Sequence, residues 1–289
     1  MKIFVVILAS LMSSATYAAT WYVSPNGSNA NSGTSPSSPW RDIQYAINYA
    51  GVQNGDIIKV MDDNTDGTDD YVENINVTKS LTIERYDNDN TPPWVRALNS
   101  GDHVFEVMVN NVTIGGLYIY GAGYPKSGIY LSANVQNCYI RDNRCGWDNN
   151  HKSHYGIYLD TNTNNTILRN ACSHSDAEGI TLMHSSNNSV SDNTCSTNGG
   201  TGINLDTSNE NIISRNTCSN NTGNGINLYS SDNNTVSGNT CSWNYRHGIA
   251  LSSYCDDNNI SGNTCYPVSY THLRAHETRH DLVCRLLLE

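Results

Sequence analysis

Charged residues are scarce in this chain of 289 residues. Only 15% are Asp, Glu, Lys or Arg, and 16 basic residues face 27 acidic ones, for a net charge of −11. A chain with so few charged residues does not have the composition of a highly charged disordered protein. The shortage of Lys and Arg argues against a nucleic-acid partner, whose phosphates require clustered basic residues. Hydrophobic residues are also few, at 37%, and Asn, Ser, Thr, Gly and Tyr replace them. This mixture favours strands and turns over helices.

No stretch of the chain approaches the roughly 20 apolar residues that a transmembrane helix needs. The apolar run Ile3 to Met12 is shorter, follows Lys2, and precedes the small-residue segment Thr16-Tyr17-Ala18. These are the parts of a secretory signal peptide. We therefore predict that residues 1–18 are a removed signal and that the protein is secreted, periplasmic or held at the cell surface.

A Gly-Ile-x-Leu tetrad recurs six times. The intervals are 28 residues and then 23 residues four times, and the tetrads start at Gly128, Gly156, Gly179, Gly202, Gly225 and Gly248. Apolar residues two apart are typical of a strand, and no helical i, i+3, i+4 spacing accompanies them. Leucine-rich repeats have similar periods, but their L-x-x-L-x-L run is absent. Short strands separated by turns therefore predict an all-β fold, a parallel β-helix in which each repeat forms one coil.

Two polar columns follow the same period. Asparagines stacked at about 4.8 Å can pair their amides along the axis, and asparagine tolerates the left-handed backbone of sharp corners. This column contains Asn143, Asn170, Asn193, Asn216, Asn239 and Asn263. The second column contains Cys145, Cys172, Cys195, Cys218, Cys241 and Cys265. In-register cysteines would keep their Cβ atoms about 4.8 Å apart, whereas a disulfide requires about 3.8 Å. We predict a ladder of buried thiols, and no C-x-x-C spacing indicates zinc.

An exterior column alternates in sign through Asp142, Arg169, Asp192 and Arg215. Stacked coils would bring each residue beside one of opposite charge. We predict a surface ladder of salt bridges, which contributes little per pair.

The pattern G-I-x-L…N-N-x-I-x-x-N-x-C, as in Gly225 to Cys241, resembles the NosD-like family. That family belongs to a wider group of carbohydrate-binding proteins and sugar hydrolases with a right-handed parallel β-helix (the pectin lyase fold). The resemblance covers about residues 104–265. It implies β-helix repeats over 104–266, and a cap with first coils over 19–103. The segment Asp42 to Tyr49 would form the capping helix, with Ile43, Ala46 and Ile47 facing inward, since an open end would expose core and strand edges.

The repeat stops after Cys265, and the composition changes abruptly to His, Arg and Leu. Residues 267–289 resemble a translated sequencing adapter. This resemblance predicts that they are a non-native tail and that the β-helix is truncated at its C-terminus. A genuine capping helix is the alternative, because Leu286 to Leu288 are apolar. His272, His276 and His280 have helical spacing but carry no metal assignment here.

Outward residues beside the tetrads form a candidate carbohydrate surface. Tyrosine offers an apolar face with a polar tip, and amides supply directed hydrogen bonds. The predicted substrate-binding residues are Tyr130, Tyr158, Asn204, Asp206, Asn227, Tyr229 and Lys152.

The 28-residue coil carries the one clear insertion, from Gly146 to Tyr155. Function in a solenoid concentrates where the repeat is broken, and His with carboxylates can supply general acid and base. The candidate catalytic residues, expected in one neighbourhood, are His154, Asp160, His174, Asp176, Glu178 and His184.

Three functions compete, two of them catalytic. A uronate lyase or epimerase needs a base (His154, His184 or Tyr158) and neutralisation of the substrate carboxylate by Lys152 or by Ca²⁺ on Asp160 and Asp176. The D-P-H motif of alginate epimerases and the R-x-x-R-x-P motif of pectate lyases are both absent. Hydrolysis would use Asp160 and Asp206, which lie two coils apart at about 9–10 Å.

The third possibility is a solenoid without catalysis. NosD resemblance implies periplasmic copper delivery to nitrous-oxide reductase, and Met183, His184, His154 and His174 offer the imidazole and thioether that copper accepts. A monomeric binder of polysaccharide or cell-surface glycan is favoured over that role, since shallow subsites along a solenoid give avidity.

Overall fold

The computed structural model describes residues 18–62, 71–87 and 91–266. Over these ranges the chain is a right-handed parallel β-helix of about eight turns, built from three parallel sheets. This confirms the predicted fold. Apart from Ala18, the predicted signal segment and tail, including His272, His276 and His280, lie outside the described residues. No helix within the described ranges has the length and hydrophobicity to cross a membrane.

Sheet A contains ten strands in strictly increasing order along the axis. They are β1 (Thr20–Val23), β2 (Ile57–Val60), β5 (Thr82–Arg85), β8 (Thr113–Gly115), β11 (Tyr139–Arg141), β14 (Thr166–Leu168), β17 (Ser189–Ser191), β20 (Ile212–Ser214), β23 (Thr235–Ser237) and β26 (Asn259–Ser261).

Sheet B contains nine strands and follows sheet A in each coil. They are β3 (Tyr71–Val72), β6 (Trp94–Arg96), β9 (Tyr118–Tyr120), β12 (Arg144–Cys145), β15 (Ala171–Ser173), β18 (Thr194–Ser196), β21 (Thr217–Ser219), β24 (Thr240–Ser242) and β27 (Thr264–Cys265).

Sheet C contains eight strands, and those from β10 onward carry the Gly-Ile-x-Leu tetrads. They are β4 (Ile75–Val77), β7 (Phe105–Val107), β10 (Ser127–Leu131), β13 (Tyr155–Asp160), β16 (Ile180–Met183), β19 (Ile203–Asp206), β22 (Ile226–Tyr229) and β25 (Ile249–Ser252). Equivalent Ile and Leu residues pair in register from coil to coil, as with Ile157 and Ile180. They fill the interior together with the third apolar column, so the core is one continuous stack.

The helix α1 (Ile43–Asn48), the only one in the described part of the chain, covers the N-terminal end of the stack. Ile43, Ala46 and Ile47 are buried, as the sequence predicted. The Glu73 carboxylate, from the first coil, accepts hydrogen bonds from the Ile43 and Gln44 amides at 2.9 and 2.8 Å. These amides have no partner inside the helix, so a distant side chain caps it, and burial raises the pKa of Glu73.

The predicted asparagine ladder is present and buried. Asn193 Nδ2 donates to Asn216 Oδ1 at 3.0 Å, and the same oxygen accepts the Asn193 backbone amide at 2.9 Å. The ladder asparagines do not take the left-handed conformation, which corrects our expectation. That conformation falls on the residue before each of them, such as Asp142 (φ 58°) and Arg169 (φ 52°), because the ladder residue must point its amide into the corner.

Two further asparagine ladders occupy the other corners. The first joins Asn165, Asn188, Asn211, Asn234 and Asn258, and the second joins Asn198, Asn221 and Asn244. Cys138 stands where the first ladder would continue, since its amide donates to Asn165 Oδ1 at 2.8 Å. The cysteine column is in register, and no disulfide links the cysteines within the described ranges, Cys138 and Cys255 included.

The exterior charges form two bidentate pairs. Arg169 donates to both carboxylate oxygens of Asp142 at 2.7 and 2.9 Å, and Arg215 does the same to Asp192 at 2.8 and 2.7 Å. The Arg169 guanidinium lowers the pKa of Asp142. The predicted salt-bridge ladder is therefore confirmed as pairs along one corner.

Candidate carbohydrate-binding face

The outer face of sheet C carries two outward rows of side chains. The first row contains Glu106, Tyr130, Tyr158, Thr181, Asn204 and Asn227. The second contains Asp160, Met183, Asp206 and Tyr229. Register pairing therefore places six of the seven predicted substrate-binding residues on this one face, which we call the C face.

The two tyrosines of the C face lie on adjacent coils, with ring centroids 5.9 Å apart. The Tyr130 hydroxyl donates to Asp160 Oδ2 at 3.4 Å, across one coil boundary. Burial and the Asp160 charge raise the pKa values of both tyrosines to about 12. Tyr158 therefore stays protonated near neutral pH and offers a hydrogen-bond donor and an apolar ring. A protonated phenol does not take up a substrate proton, so Tyr158 is poorly suited to be the base considered above.

Thr181 forms the floor of the C face between Tyr158 and Asn204. Its side chain is only 3% exposed, and Oγ1 has no hydrogen-bond partner among the described residues. A buried hydroxyl without a partner costs free energy. Beyond it, Asn227 Nδ2 donates to Asn204 Oδ1 at 2.9 Å, and Asn227 Oδ1 accepts from Asn224 Nδ2 at 3.1 Å.

His103 extends this face at its N-terminal end and was missed by the sequence analysis. Its ring stacks on Tyr130 at 4.2 Å and 10°, and its Nδ1 accepts the Ser127 amide at 3.0 Å. Burial and the nearby Lys126 charge lower the pKa of His103 to about 4. His103 is thus a neutral aromatic support for Tyr130. It lies outside the tetrad columns, so no repeat signal marks it.

The edge of sheet C where its strands begin carries the inserted loop. The Lys152 ammonium pairs with the Asp176 carboxylate, and the His154 ring packs edge-on against Tyr155 at 4.6 Å. Tyr155 in turn contacts Tyr158 at 5.0 Å. Burial lowers the pKa of His154 and raises that of Glu178. This edge extends the aromatic surface towards the loop.

The six candidate catalytic residues do not share one neighbourhood. His154, Asp176 and Glu178 precede the sheet C strands, whereas Asp160 and His184 lie where those strands end. The strand Tyr155–Asp160 has six residues, so the two groups stand about 17 Å apart at roughly 3.3 Å per residue. His174 follows a sheet B strand, in a left-handed conformation. The sequence analysis treated the loops at the two ends of this strand as a single corner. That prediction was wrong, because the strand Tyr155–Asp160 separates them.

No group of three His, Cys, Asp or Glu side chains within the described ranges is arranged to hold a metal ion. Asp160 and Asp176, considered for Ca²⁺, lie at opposite edges of sheet C. Met183 and His184 lie at one edge, while His154 lies at the other. The donor sets considered for Ca²⁺ and copper therefore do not fit either ion as arranged here.

The outward residues of the C face include carboxylates but no Lys or Arg. Lys152 lies at the edge, and its charge is paired with Asp176. The face therefore combines aromatic rings, amides and acceptor oxygens without a cation for an acidic sugar.

Comparison with known proteins places the chain among the parallel β-helix proteins. The pectate lyase Pel9A superposes with a TM-score of 0.60 at 14% identity, over 85% of this chain and 74% of that one. An alginate lyase from a Paenibacillus species gives 0.55 at 16% identity, over 78% and 93%. At these identities the likeness concerns the fold alone.

The sequence model of the family described as "Periplasmic copper-binding protein (NosD)" matches residues 94–266, which is more than half of the chain. The chain therefore belongs to the NosD family. A "Cell surface glycoprotein" of Methanothermus fervidus is 37% identical over 101 residues, covering 35% of this chain. The chain spans about 15% of the length of that relative.

Proposed function

We propose that this protein binds a neutral polysaccharide along the C face. The observation that carries the proposal is the in-register row of tyrosines and asparagines on the outer face of sheet C, with Tyr130 and Tyr158 followed by Asn204 and Asn227. Thr181 lies buried beneath this row and gives it a flat floor on which a sugar could rest. A pyranose ring resting on Tyr158 would bury apolar surface without losing the phenol's hydrogen bonding.

The charge of the face supports a neutral ligand. Glu106, Asp160 and Asp206 are acceptors for sugar hydroxyls, and carboxylates accept strong hydrogen bonds. A uronate chain would meet the same carboxylates as like charges, and no basic residue of the C face compensates them. The solved relatives are named as enzymes of acidic polysaccharides, and we do not carry that specificity to this chain.

The C face is long and shallow, which suits a polymer. Coils of a β-helix repeat at about 4.8 Å, so the span from Glu106 to Asn227 covers about 24 Å. Several weak subsites along one chain add through effective concentration. Affinity should therefore rise with ligand length and be weak for monosaccharides. A location of the protein outside the cytoplasm agrees with the description of the family as periplasmic and of the relative as a cell surface glycoprotein.

The test is affinity electrophoresis and calorimetry on a panel of neutral and acidic polysaccharides, using the full chain. Tyr158→Ala removes an aromatic ring from the row, and affinity for the neutral ligand should fall about tenfold or more. Thr181→Val keeps the shape of the side chain and removes only a buried hydroxyl that has no protein partner. It should leave affinity unchanged and thermal stability unchanged or slightly higher.

Tyr245→Ala is the matched control, because Tyr245 is 72% exposed and lies outside the C face. It should bind as the parent does. Equal affinity of the parent and Tyr158→Ala would remove the C face as the binding site. Binding confined to acidic polymers would overturn the neutral specificity.

Hydrolysis of the bound chain is a second candidate. Asp160 and Asp206 occupy the same outward column two coils apart, separated by Met183, which places their Cα atoms about 9.6 Å apart. Inverting glycosidases hold their carboxyl groups about 6.5–9.5 Å apart. Release of reducing ends that is abolished in Asp160→Asn, with binding retained, would support hydrolysis. Binding with no reducing ends would leave the protein a non-catalytic solenoid.

A further inference from the structure

A second aromatic cluster lies on the outer face of sheet B, away from the C face. Trp94, Tyr118 and Arg144 occupy one outward column on three successive coils. The inserted loop returns over this column, and Trp147 stacks on Trp94 at 5.3 Å and 26°. The next residues in the column are Ala171 and threonines, so the cluster is confined to the coils beside the insertion. We call it the B-face cluster.

The loop is built to place Trp147 there. Gly146 has φ 83°, and a Cβ on it would come within 2.2 Å of the Ser173 carbonyl oxygen, so only glycine permits this turn. The Trp147 amide then donates to the His151 carbonyl at 2.7 Å. Asp148 accepts from the His151 amide and from its Nδ1, both at 2.9 Å. The turn is closed by its own hydrogen bonds, and its Trp147 and His151 rings face sheet B.

Arg144 is the unusual member of the cluster. Its guanidinium lies 4.0 Å from the Trp147 ring centroid and 5.5 Å from that of Tyr118. It makes no ion pair or side-chain hydrogen bond within the described ranges, and its Nε is buried without a partner. The carboxylate of Asp148, on the same loop, is engaged by His151. In a chain of net charge −11, an arginine held between aromatic rings without a carboxylate is available for an external anion.

The cluster also has a surface for a ring. Trp147 is 41% exposed, so a sugar ring can lie against its outer face. The depression beside it is lined by Trp94, Tyr118, Tyr120, Arg144, Trp147 and His151 and has room for about one water molecule. The ligand would therefore lie on the surface of the cluster and not inside a pocket. The lining is aromatic, with one arginine as its fixed cation, and the arginine fork matches a carboxylate in geometry.

We propose that the B-face cluster binds an acidic sugar residue of the uronate type, with its ring against Trp147 and its carboxylate on Arg144. This site differs from the C face in location and in charge, and it does not rest on the function proposed above. A solenoid with two such faces would hold a neutral chain on one side and an acidic unit on the other.

The test is titration of the full chain with galacturonate and mannuronate oligomers, and with a neutral oligomer of equal length, followed by tryptophan fluorescence and calorimetry. The uronates should bind, and affinity should fall as salt is raised because the contact is ionic. Arg144→Gln should lower uronate affinity at least tenfold and remove the salt dependence. Arg144→Lys keeps the charge but not the planar fork, and it should give an intermediate loss.

Trp147→Ala should abolish uronate binding. Trp243→Ala should not, since Trp243 is 66% exposed and lies outside the cluster. Tyr158→Ala, which disables the C face, should leave uronate binding unchanged, so failure at the C face and failure at this cluster are distinguishable. Equal binding of neutral and acidic oligomers, uronate binding that survives Arg144→Gln, or no uronate binding at all would each overturn the proposal.

Discussion

Removing one amide from the buried asparagine ladder should cost far more stability than any surface change nearby. Asn193 Oδ1 accepts the Asn170 backbone amide at 2.8 Å and its Nδ2 at 3.1 Å. Asn193 Nδ2 donates to the carbonyls of Ile167 and Ser191 at 2.9 and 3.0 Å and to Asn216 Oδ1 at 3.0 Å. Asn193→Ala removes all five hydrogen bonds and leaves the buried Asn170 backbone amide without a partner.

An orphaned buried donor costs about 1–3 kcal/mol, and each further lost hydrogen bond about 0.5–1.5 kcal/mol, partly recovered by relaxation. We therefore expect Asn193→Ala to lower the free energy of unfolding by about 3–5 kcal/mol. The matched control is Thr194→Ala. Thr194 is the next residue and is exposed, so the change should stay within about 0.5 kcal/mol.

Urea denaturation gives the midpoint and slope of unfolding, and amide hydrogen exchange locates the loss. Stability of a repeat array is a sum of coil and interface terms. Faster exchange should therefore centre on the coils of Asn170, Asn193 and Asn216. A loss of unfolding free energy below about 1 kcal/mol would refute the view that each ladder amide stabilises the two neighbouring coils. Exchange rates that change equally along the whole chain would refute it as well.

The tyrosines and the thiols give two more predictions. Tyr130 and Tyr158 have folded pKa values of about 12, above the unfolded value near 10. The stability that the two neutral phenols give the fold should be fully present below pH 10 and be lost as pH rises towards 12. Asp160→Asn should lower both tyrosine pKa values in a spectroscopic titration, and an unchanged titration would contradict this. Among the described cysteines, iodoacetamide should label Cys265, which is partly exposed, before the buried thiols such as Cys138, whose pKa burial raises to about 11; peptide mapping that found Cys138 labelled equally fast would contradict this.

The repeat allowed much of the architecture to be predicted. Ile157 and Leu159 recur at a fixed interval with strand spacing, and the same period identified the Asn143 ladder. The other two ladders follow the period as well: Asn165 to Asn188 and Asn198 to Asn221 are 23-residue steps. They were overlooked because neighbouring asparagines in the same turns obscure which residue points inward. Only the structure shows that the buried member follows the left-handed one.

The site was less predictable, because it depends on contacts between segments that do not repeat. His103 meets Tyr130 through stacking between a corner and the next coil, and nothing in the tetrad pattern aligns them. The path of the inserted loop was also hidden. His154 and Asp160 lie only six positions apart in sequence, but an extended strand separates them, so proximity in sequence did not give proximity in space.

The break in the period connects both proposed sites. The loop that follows Gly146 directs Trp147 and His151 onto sheet B, and its later residues Lys152 and His154 reach the edge of sheet C. Beyond the insertion, the outer column of sheet B continues as Thr194, Thr217 and Thr240, whereas the C face continues as Asn204, Asp206, Asn227 and Tyr229. A single longer coil in a regular solenoid thus changes two adjacent faces at once. It concentrates the aromatic rings Trp147 and His151 and the arginine Arg144 in the coils beside the insertion.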